Sequence, residues 1–263
     1  MKDNIRLDDK VALITGAGGV IGTATARLMA ARGAHIVAVD RNKAALQTLA
    51  TKLPGDTQFL ALEADVTDES AVRQYVEQAR REFGAIHVFF NNAGIEGGAH
   101  GAYRFIPELP FEEFNTIINV NLNGVFLGMK YVIPVMAEQG GGSIINTSSI
   151  CGIKGSAGQV AYVASKHAVV GMTRSAAIEW SEKGVRVNCV TPGAIESRMM
   201  SDFLDLADPG AAQQLRKNFE AQLPARRFGA PEEVAAVVAF LASDDAKYVT
   251  GAFYAVDGGM SAM

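Results

Sequence analysis

A doubly wound α/β fold, in which a parallel seven-stranded sheet carries helices on both faces, is predicted by three features of this 263-residue chain. Strand-like apolar runs alternate with helix-like segments along the chain. Glycine, proline or asparagine turns follow the runs. The polar clusters fall where strands end, the edge at which such sheets bind ligands. With 49% hydrophobic residues the chain can bury a substantial core, and residues 1–263 are expected to form one domain.

Taken in order, Val11-Ala12-Leu13-Ile14 is a continuous apolar run of the kind buried on both faces of a sheet, and it enters the turn Thr15-Gly16-Ala17-Gly18-Gly19-Val20-Ile21-Gly22. A helix pattern runs through Arg32 and stops at Gly33. His35-Ile36-Val37-Ala38-Val39 is a second strand closing on Asp40, so the first forty residues read as a βαβ unit. A helix to about Leu53, a strand over 58–65 and a helix over 68–83 follow, with Asp68 as cap and Gly84 as stop. The strand over 86–90 turns out through Asn91-Asn92-Ala93-Gly94, a long helix spans 111–136, and the next strand ends at Ser149. The helix carrying Tyr162 ends near Gly184, and a strand over 185–191 stops at Pro192-Gly193. The stretch 198–229 breaks the rhythm and reads as a substrate lid. A helix over 231–243 and a strand through Ala255-Val256-Asp257 complete seven strands.

A net charge of -4 with both signs interspersed offers no footprint for nucleic acid or an anionic membrane. Cys151 and Cys189 have no metal-ligand spacing, and the four histidines show no i, i+4 pairing, so no metal site is expected. The first ten residues are charged, and the apolar stretch 234–242 is too short to span a bilayer. A soluble, cytoplasmic protein acting on small molecules is the expectation.

The chemistry centres on Tyr162-Val163-Ala164-Ser165-Lys166, because residues four apart share a helix face. A phenol with a pKa of about 10 is a poor base, and a neighbouring ammonium favours its ionised form. Ser149 lies thirteen residues upstream, at the end of a strand. The glycine turn lets backbone N–H groups and a helix N-terminus face a pyrophosphate, with Gly16, Gly18, Gly19, Val20, Ile21 and Gly22 around it. Asp40 would accept hydrogen bonds from ribose hydroxyls and repel a phosphate, which points to NAD over NADP; Arg41, the competing signal, reads as a solvated helix-start residue. Asn121 sits among apolar residues between Asn119 and Asn123, and position does not choose among the three.

Together these motifs resemble the short-chain dehydrogenase/reductase family, of the single-domain Rossmann type, across essentially the whole chain. The resemblance makes Asn121, Ser149, Tyr162 and Lys166 a catalytic tetrad. Ser149 would polarise the substrate oxygen and Tyr162 exchange its proton. Lys166 would hold ribose hydroxyls and lower the tyrosine pKa, and Asn121 would anchor a water relay to Lys166. It also implies adenine contact at Asp65 and Val66, a sheet-stabilising turn at 91–94 with Asn92, Ala93 and Gly94 beside the cofactor, and a nicotinamide-side loop with Pro192, Gly193, Ile195 and Ser197. Three departures stand out: Val20 replaces a glycine and could crowd the dinucleotide, Ser197 replaces a threonine, and His87 replaces an aspartate, with the loss of a local hydrogen bond expected.

The implied function is an NAD-dependent oxidoreductase moving a hydride between nicotinamide and a secondary alcohol or ketone, neutral and cyclic. Substrate contacts are expected from Glu96, His100, Ile150, Cys151, Gln159, Met199, Met200 and Phe203, with Tyr103 as a further polar contact. Two alternatives are a 3-oxoacyl-thioester reductase, with Arg216, Lys217, Arg226 and Arg227 gripping an acidic carrier, and a non-catalytic nucleotide-sensing or scaffold protein. Val120, Phe126, Met129, Val132, Val169, Met172 and Trp180 spread over more than one helix face, and with the resemblance this implies a homotetramer, a dimer being the second possibility.

Overall fold

The computed structural model of the chain describes residues 5–97, 103–196 and 209–263. The strands are β1 (Val11–Thr15), β2 (His35–Asp40), β3 (Phe59–Glu63), β4 (Val88–Asn91), β5 (Gly142–Thr147), β6 (Val185–Pro192) and β7 (Phe253–Val256). All pair in parallel, in the order β3-β2-β1-β4-β5-β6-β7. The order reverses between β1 and β4, which opens a crevice at the carboxyl ends of those strands. This is the predicted seven-stranded, Rossmann-like α/β fold.

The period-2 alternation of β1 builds both layers. Ala12 and Ile14 join one core with Ile36, Phe90, Ile145 and Val190, closed by Met29 of α1 (Val20–Ala31) and Val234, Val238 and Leu241 of α8 (Pro231–Ala242). Val11 and Leu13 face the opposite core, with Val37, Phe89, Ile144 and Val187. That layer is closed by α3 (Glu69–Phe83), α5 (Gly124–Glu138) and α6 (Val160–Trp180) through Val72, Val132 and Val169. Two further helices are α2 (Lys43–Ala50) and α7 (Pro209–Gln222). Asp68 caps α3 as expected, accepting from Ser70 N and Ala71 N, and Gly84 ends it at φ 78°.

The helix expected over 111–136 is not uniform. It is α4 (Phe111–Ile118), a π turn (Asn119–Asn123) and then α5, because an extra residue is accommodated in the turn around Asn121. By length and composition the run Phe111–Glu138 could cross a membrane. Here its residues Ile117, Val125, Met129, Val132, Ile133 and Met136 are buried. The helix of Tyr162 stops at Trp180, four residues before the predicted end, since Ser181–Lys183 tightens into a 3-10 turn and Gly184 leaves at φ 76°.

His87 does not cost a hydrogen bond, contrary to expectation. Its Nδ1 accepts from Val11 N at 3.0 Å, so the imidazole serves as an acceptor at the start of β1. Met129, Val132 and Val169 likewise belong to this chain's own core rather than to a spare apolar face. Phe126 and Ile178 remain 51% and 83% exposed on α5 and α6.

Candidate active site

The crevice begins at the glycine turn between β1 and α1. Gly16 has φ 63°, and a Cβ there would stand 2.9 Å from Ala93 Cα; a Cβ at Gly22 would stand 2.2 Å from Gly16 O. Both positions therefore need glycine for close packing of the turn. Val20 sits one residue after the Gly19 cap, as the first helical residue of α1, and its backbone needs no left-handed conformation. Its side chain is 39% exposed and lines the crevice beside Gly19 and Ile21.

Asp40, at the end of β2, turns both carboxylate oxygens to the local backbone. Oδ2 accepts from Gly18 N and Oδ1 from Asn42 N, each at 2.9 Å. A carboxylate has about four lone-pair sites, so two such bonds leave room for ribose hydroxyls. Beyond it, Arg41, Asp65, Val66 and Val120 line a recess of about 130 Å3 that shares Gly16 and Asp40 with the crevice. Asp65 accepts at Oδ1 from the amide and the hydroxyl of Thr67, both at 2.8 Å. Its carboxylate thus also shapes the loop after β3.

The turn after β4 ties three strand ends together. Asn92 Nδ2 donates to Thr15 O at 3.2 Å, Thr15 Oγ1 accepts from Asn92 N and Ala93 N, and Thr147 Oγ1 donates to Asn92 Oδ1 at 3.1 Å. Asn91 Nδ2 donates to Val125 O at 2.9 Å, anchoring α5 to the same place. Asn121 is fully buried; Oδ1 accepts from Ile95 N at 2.8 Å and Nδ2 donates to Ile95 O at 2.7 Å. Asn119 and Asn123 are exposed and bond to one another. Tertiary contact therefore singles out Asn121. A Cβ on Gly94 would lie 3.2 Å from Asn121 Oδ1 and 3.3 Å from Lys166 Nζ, so both groups border one spot beside that glycine.

On α6, Lys166 is buried, donates from Nζ to Thr147 O at 3.0 Å and lies 5.5 Å from the Tyr162 ring centroid. Ser149, also buried, caps a 3-10 turn (Ile150–Gly152) and accepts from Cys151 N at 3.1 Å. Withdrawal from water pushes Lys166 down to about 8. The same effect raises the Tyr162 phenol above its ordinary value, opposed by a hydrogen bond with Ser149. The expected lowering of the tyrosine pKa by lysine is therefore outweighed by desolvation.

One crevice of about 490 Å3 joins these groups: Gly16, Gly19, Val20, Ile21 and Asp40 at one end, Ser149, Tyr162 and Lys166 at the other. Asn92, Ala93, Gly94, Pro192, Gly193 and Ile195 lie along it, with Glu96, Ile150, Cys151 and Gln159 beside the reactive end. Ser197, His100, Met199, Met200 and Phe203 fall outside the described residues. Gly18, Gly22 and Asn121 stand behind the wall as supports. The sequence reading missed Met260, which joins the crevice from beyond β7, and Thr147, whose carbonyl holds Lys166. The Asp257-Gly258-Gly259 turn was a local signal for a bend there, but only the β6–β7 pairing brings Met260 to the site.

A glycine cradle that excludes Cβ atoms, an acidic strand end and a continuous crevice fit a nicotinamide dinucleotide. With a phenol, a hydroxyl and an ammonium at the far end, they define an oxidoreductase of the α/β dinucleotide-binding class. The chain belongs to the short-chain dehydrogenase/reductase family, and its relatives are oxidoreductases acting on CH–OH groups. A family model described as enoyl-(acyl carrier protein) reductase matches residues 16–261. The chain is 42% identical over 260 residues to levodione reductase of Leifsonia aquatica, covering 98% of this chain and 96% of that protein. It is 41% identical over 254 residues to cyclohexanol dehydrogenase of Acinetobacter sp. (strain SE19), covering 96% and 95%. A 3-oxoacyl-(acyl-carrier-protein) reductase of Thermotoga maritima is 42% identical over 259 residues, covering 97% and 99%. Among solved structures, a levodione reductase superposes with TM-score 0.93 at 41% identity, covering 98% of this chain and 99% of that one. A NAD+-bound xylitol dehydrogenase gives 0.89 at 32% identity, covering 96% and 99%.

Proposed function

We propose that the protein is an NAD-dependent dehydrogenase or reductase of neutral, cyclic secondary alcohols and ketones. The observation that carries this reading is the meeting of Ser149, Tyr162 and Lys166 in the crevice that begins at Asp40. Ser149 holds the substrate oxygen, and Tyr162 exchanges its proton. Lys166, fixed by Thr147 O, supplies positive charge near the phenol and takes ribose hydroxyls, while Asn121 anchors a water relay to it. A nicotinamide dinucleotide held along the crevice from Asp40 to Lys166 would supply the hydride acceptor for the alcohol or the hydride donor for the ketone. In reduction the phenol gives its proton to the oxygen; in oxidation the phenolate takes it back. A phenol held above its ordinary pKa is protonated at neutral pH and can serve as the donor in reduction, whereas oxidation needs its deprotonated form.

Asp40 supports NAD, since its carboxylate sits where an additional phosphate would be repelled. The names of the levodione and cyclohexanol relatives support a cyclic substrate, as does the apolar lining from Ile150, Ile195, Phe219 and Met260. A scaffold role does not need the convergence of Ser149, Tyr162 and Lys166. The acyl-carrier reading has the Thermotoga relative in its favour, but the proposed basic grip is mostly engaged elsewhere. Arg216 pairs with Glu196 and Glu220, Arg227 with Glu233, and Arg226 donates to Ala221 O.

The reading extends to one domain over 1–263 with a lid at about 198–229, working in the cytoplasm as a homotetramer. Exposed Phe126 and Ile178 support a partner on the α5 and α6 side. Light scattering at micromolar concentration should give four chains per particle, and a monomer would refute the assembly. The functional test is kcat/KM with NAD across cyclic alcohols, sugars, steroids, hydroxy acids and 3-hydroxyacyl thioesters. A clear preference for a charged hydroxy acid or an acyl thioester would overturn the cyclic-alcohol assignment.

A further inference from the structure

A carboxylate stands beside the reactive end of the crevice without a part in the hydride chemistry. Glu96 follows the turn after β4, lines the same crevice as Ser149 and Tyr162, and is half-buried. Gln159, just before α6, donates from Nε2 to Glu96 Oε1 at 2.6 Å, and Cys151 Sγ lies 3.9 Å from Gln159 Oε1. Gln159, itself contacted by Cys151, thus holds the carboxylate in place. Among the described residues Glu96 Oε2 has no hydrogen-bond donor. It shares the crevice wall with Tyr103, Cys151, Tyr162 and Lys166, beside the reactive end.

A carboxylate facing a wholly apolar ring loses hydration and gains nothing in return. A bound O–H donor supplies the missing partner, because an ionised carboxylate only accepts and its bonds to O–H donors are short and strong. A second carbonyl or an anionic group at that spot would meet lone pairs or like charge instead. Resting on the secondary-alcohol reading, we propose that Glu96, positioned by Gln159, is a subsite for a second hydroxyl, so that the substrate is a cyclic diol and the product a hydroxyketone. The redox step is unchanged: one carbinol C–H hydride leaves for nicotinamide and one O–H proton for Tyr162, while the second hydroxyl keeps its proton and stays bound to Glu96. Gln159 is a positioning residue that fixes the carboxylate's rotamer.

The test compares kcat/KM with NAD for cyclohexanol, the 1,2-, 1,3- and 1,4-cyclohexanediols, and the monomethyl ether of each diol. The ether keeps the second oxygen and removes its proton. In the wild-type enzyme at least one diol should exceed both cyclohexanol and its own ether by about tenfold or more, a difference of about 1.4 kcal/mol for a charge-assisted bond. Glu96→Gln and Gln159→Leu should bring that ratio, taken within each variant, to within about threefold of unity through KM, with NADH fluorescence titrations and circular dichroism as the controls for folding. The subsite is refuted if no diol outperforms its ether, or if the advantage survives both substitutions. Turnover of cyclohexanol with no diol advantage leaves the dehydrogenase reading standing, whereas no turnover of any of these alcohols with either NAD or NADP defeats that reading itself.

Discussion

Lys166 Nζ lies 5.5 Å from the centroid of the Tyr162 ring and donates to Thr147 O at 3.0 Å, so the ammonium is fixed by the end of β5 rather than free to follow the phenol. Both side chains lose water, and their pKa values move apart in opposite directions: the phenol up, by desolvation against the pull of Ser149, and the ammonium down to about 8. Away from each group's ordinary value, both shifts favour the neutral form.

Tyr162→Phe removes the proton exchanger but not the crevice wall. Turnover should fall by about 10²–10⁴, the usual contribution of a positioned general acid or base. NADH binding, followed by fluorescence, should remain near the wild-type value. Because the phenol is held above its ordinary pKa, kcat/KM for alcohol oxidation should rise with pH from neutrality into the alkaline range, and that slope should vanish in the variant.

Lys166 burdens the folded state. Its folded pKa of about 8 lies below the ordinary 10.5, so the folded protein binds fewer protons between those values and gains stability as pH rises through that window. Below about 8 the full penalty is present, on the order of 3 kcal/mol for a shift of this size. Lys166→Met also strips Thr147 O of its donor, which costs about 1 kcal/mol. Thermal melts at pH 7 should therefore show the variant more stable by about 2 kcal/mol, and the difference should shrink as pH rises and change sign by about pH 10.5, where only the lost hydrogen bond remains. A variant less stable at pH 7, or a gap that widens with pH, would contradict the assignment.

Asn121→Ala leaves Ile95 N and Ile95 O without their side-chain partner in a partly buried place. Each unsatisfied group costs about 1–3 kcal/mol, so urea denaturation should show a loss of about 2–5 kcal/mol together with a fall in kcat. Asn119→Ala, two residues away on the exposed side of the π turn, should stay within about 0.5 kcal/mol of wild type.

At the adenosine end, Asp40→Ser should relax the preference for NAD, read as the ratio of kcat/KM for NAD and NADP. It should also loosen the glycine turn, since the bonds from Gly18 N and Asn42 N go with the carboxylate. Faster turnover of the wild type with NADP at low concentration would assign Arg41 the leading role instead.

Val20→Gly should change the dinucleotide dissociation constant without moving the pH profile, because the side chain lines the crevice far along it from Tyr162. The backbone at Val20 is already helical, so the substitution also costs about 0.3 kcal/mol of helix propensity. An unchanged dissociation constant would show that the exposed valine stands clear of the ligand.

What the sequence by itself determined are the features written in short-range chemistry. The apolar runs of β1 and β2, the glycine turn, the Asp68 cap, the stop at Gly84 and the four-residue spacing of Tyr162 and Lys166 need only local sterics and periodicity to be read. Alternation of strand and helix then leads to a parallel sheet, and a parallel sheet leads to a crevice at its carboxyl edge.

Tertiary structure decided what depends on partners far away in the chain. Three asparagines lie at alternate positions, and only the backbone of Ile95, 26 residues distant, distinguishes Asn121. His87 keeps its bond because Val11, 76 residues away, presents an N–H to it. Met260 reaches the crevice through β7 pairing with β6, and Met129 and Val132 are claimed by the chain's own core. The Tyr162 phenol moved against the expectation drawn from Lys166, since a spacing of four residues shows which charges are neighbours but not how much water the surrounding fold removes from them.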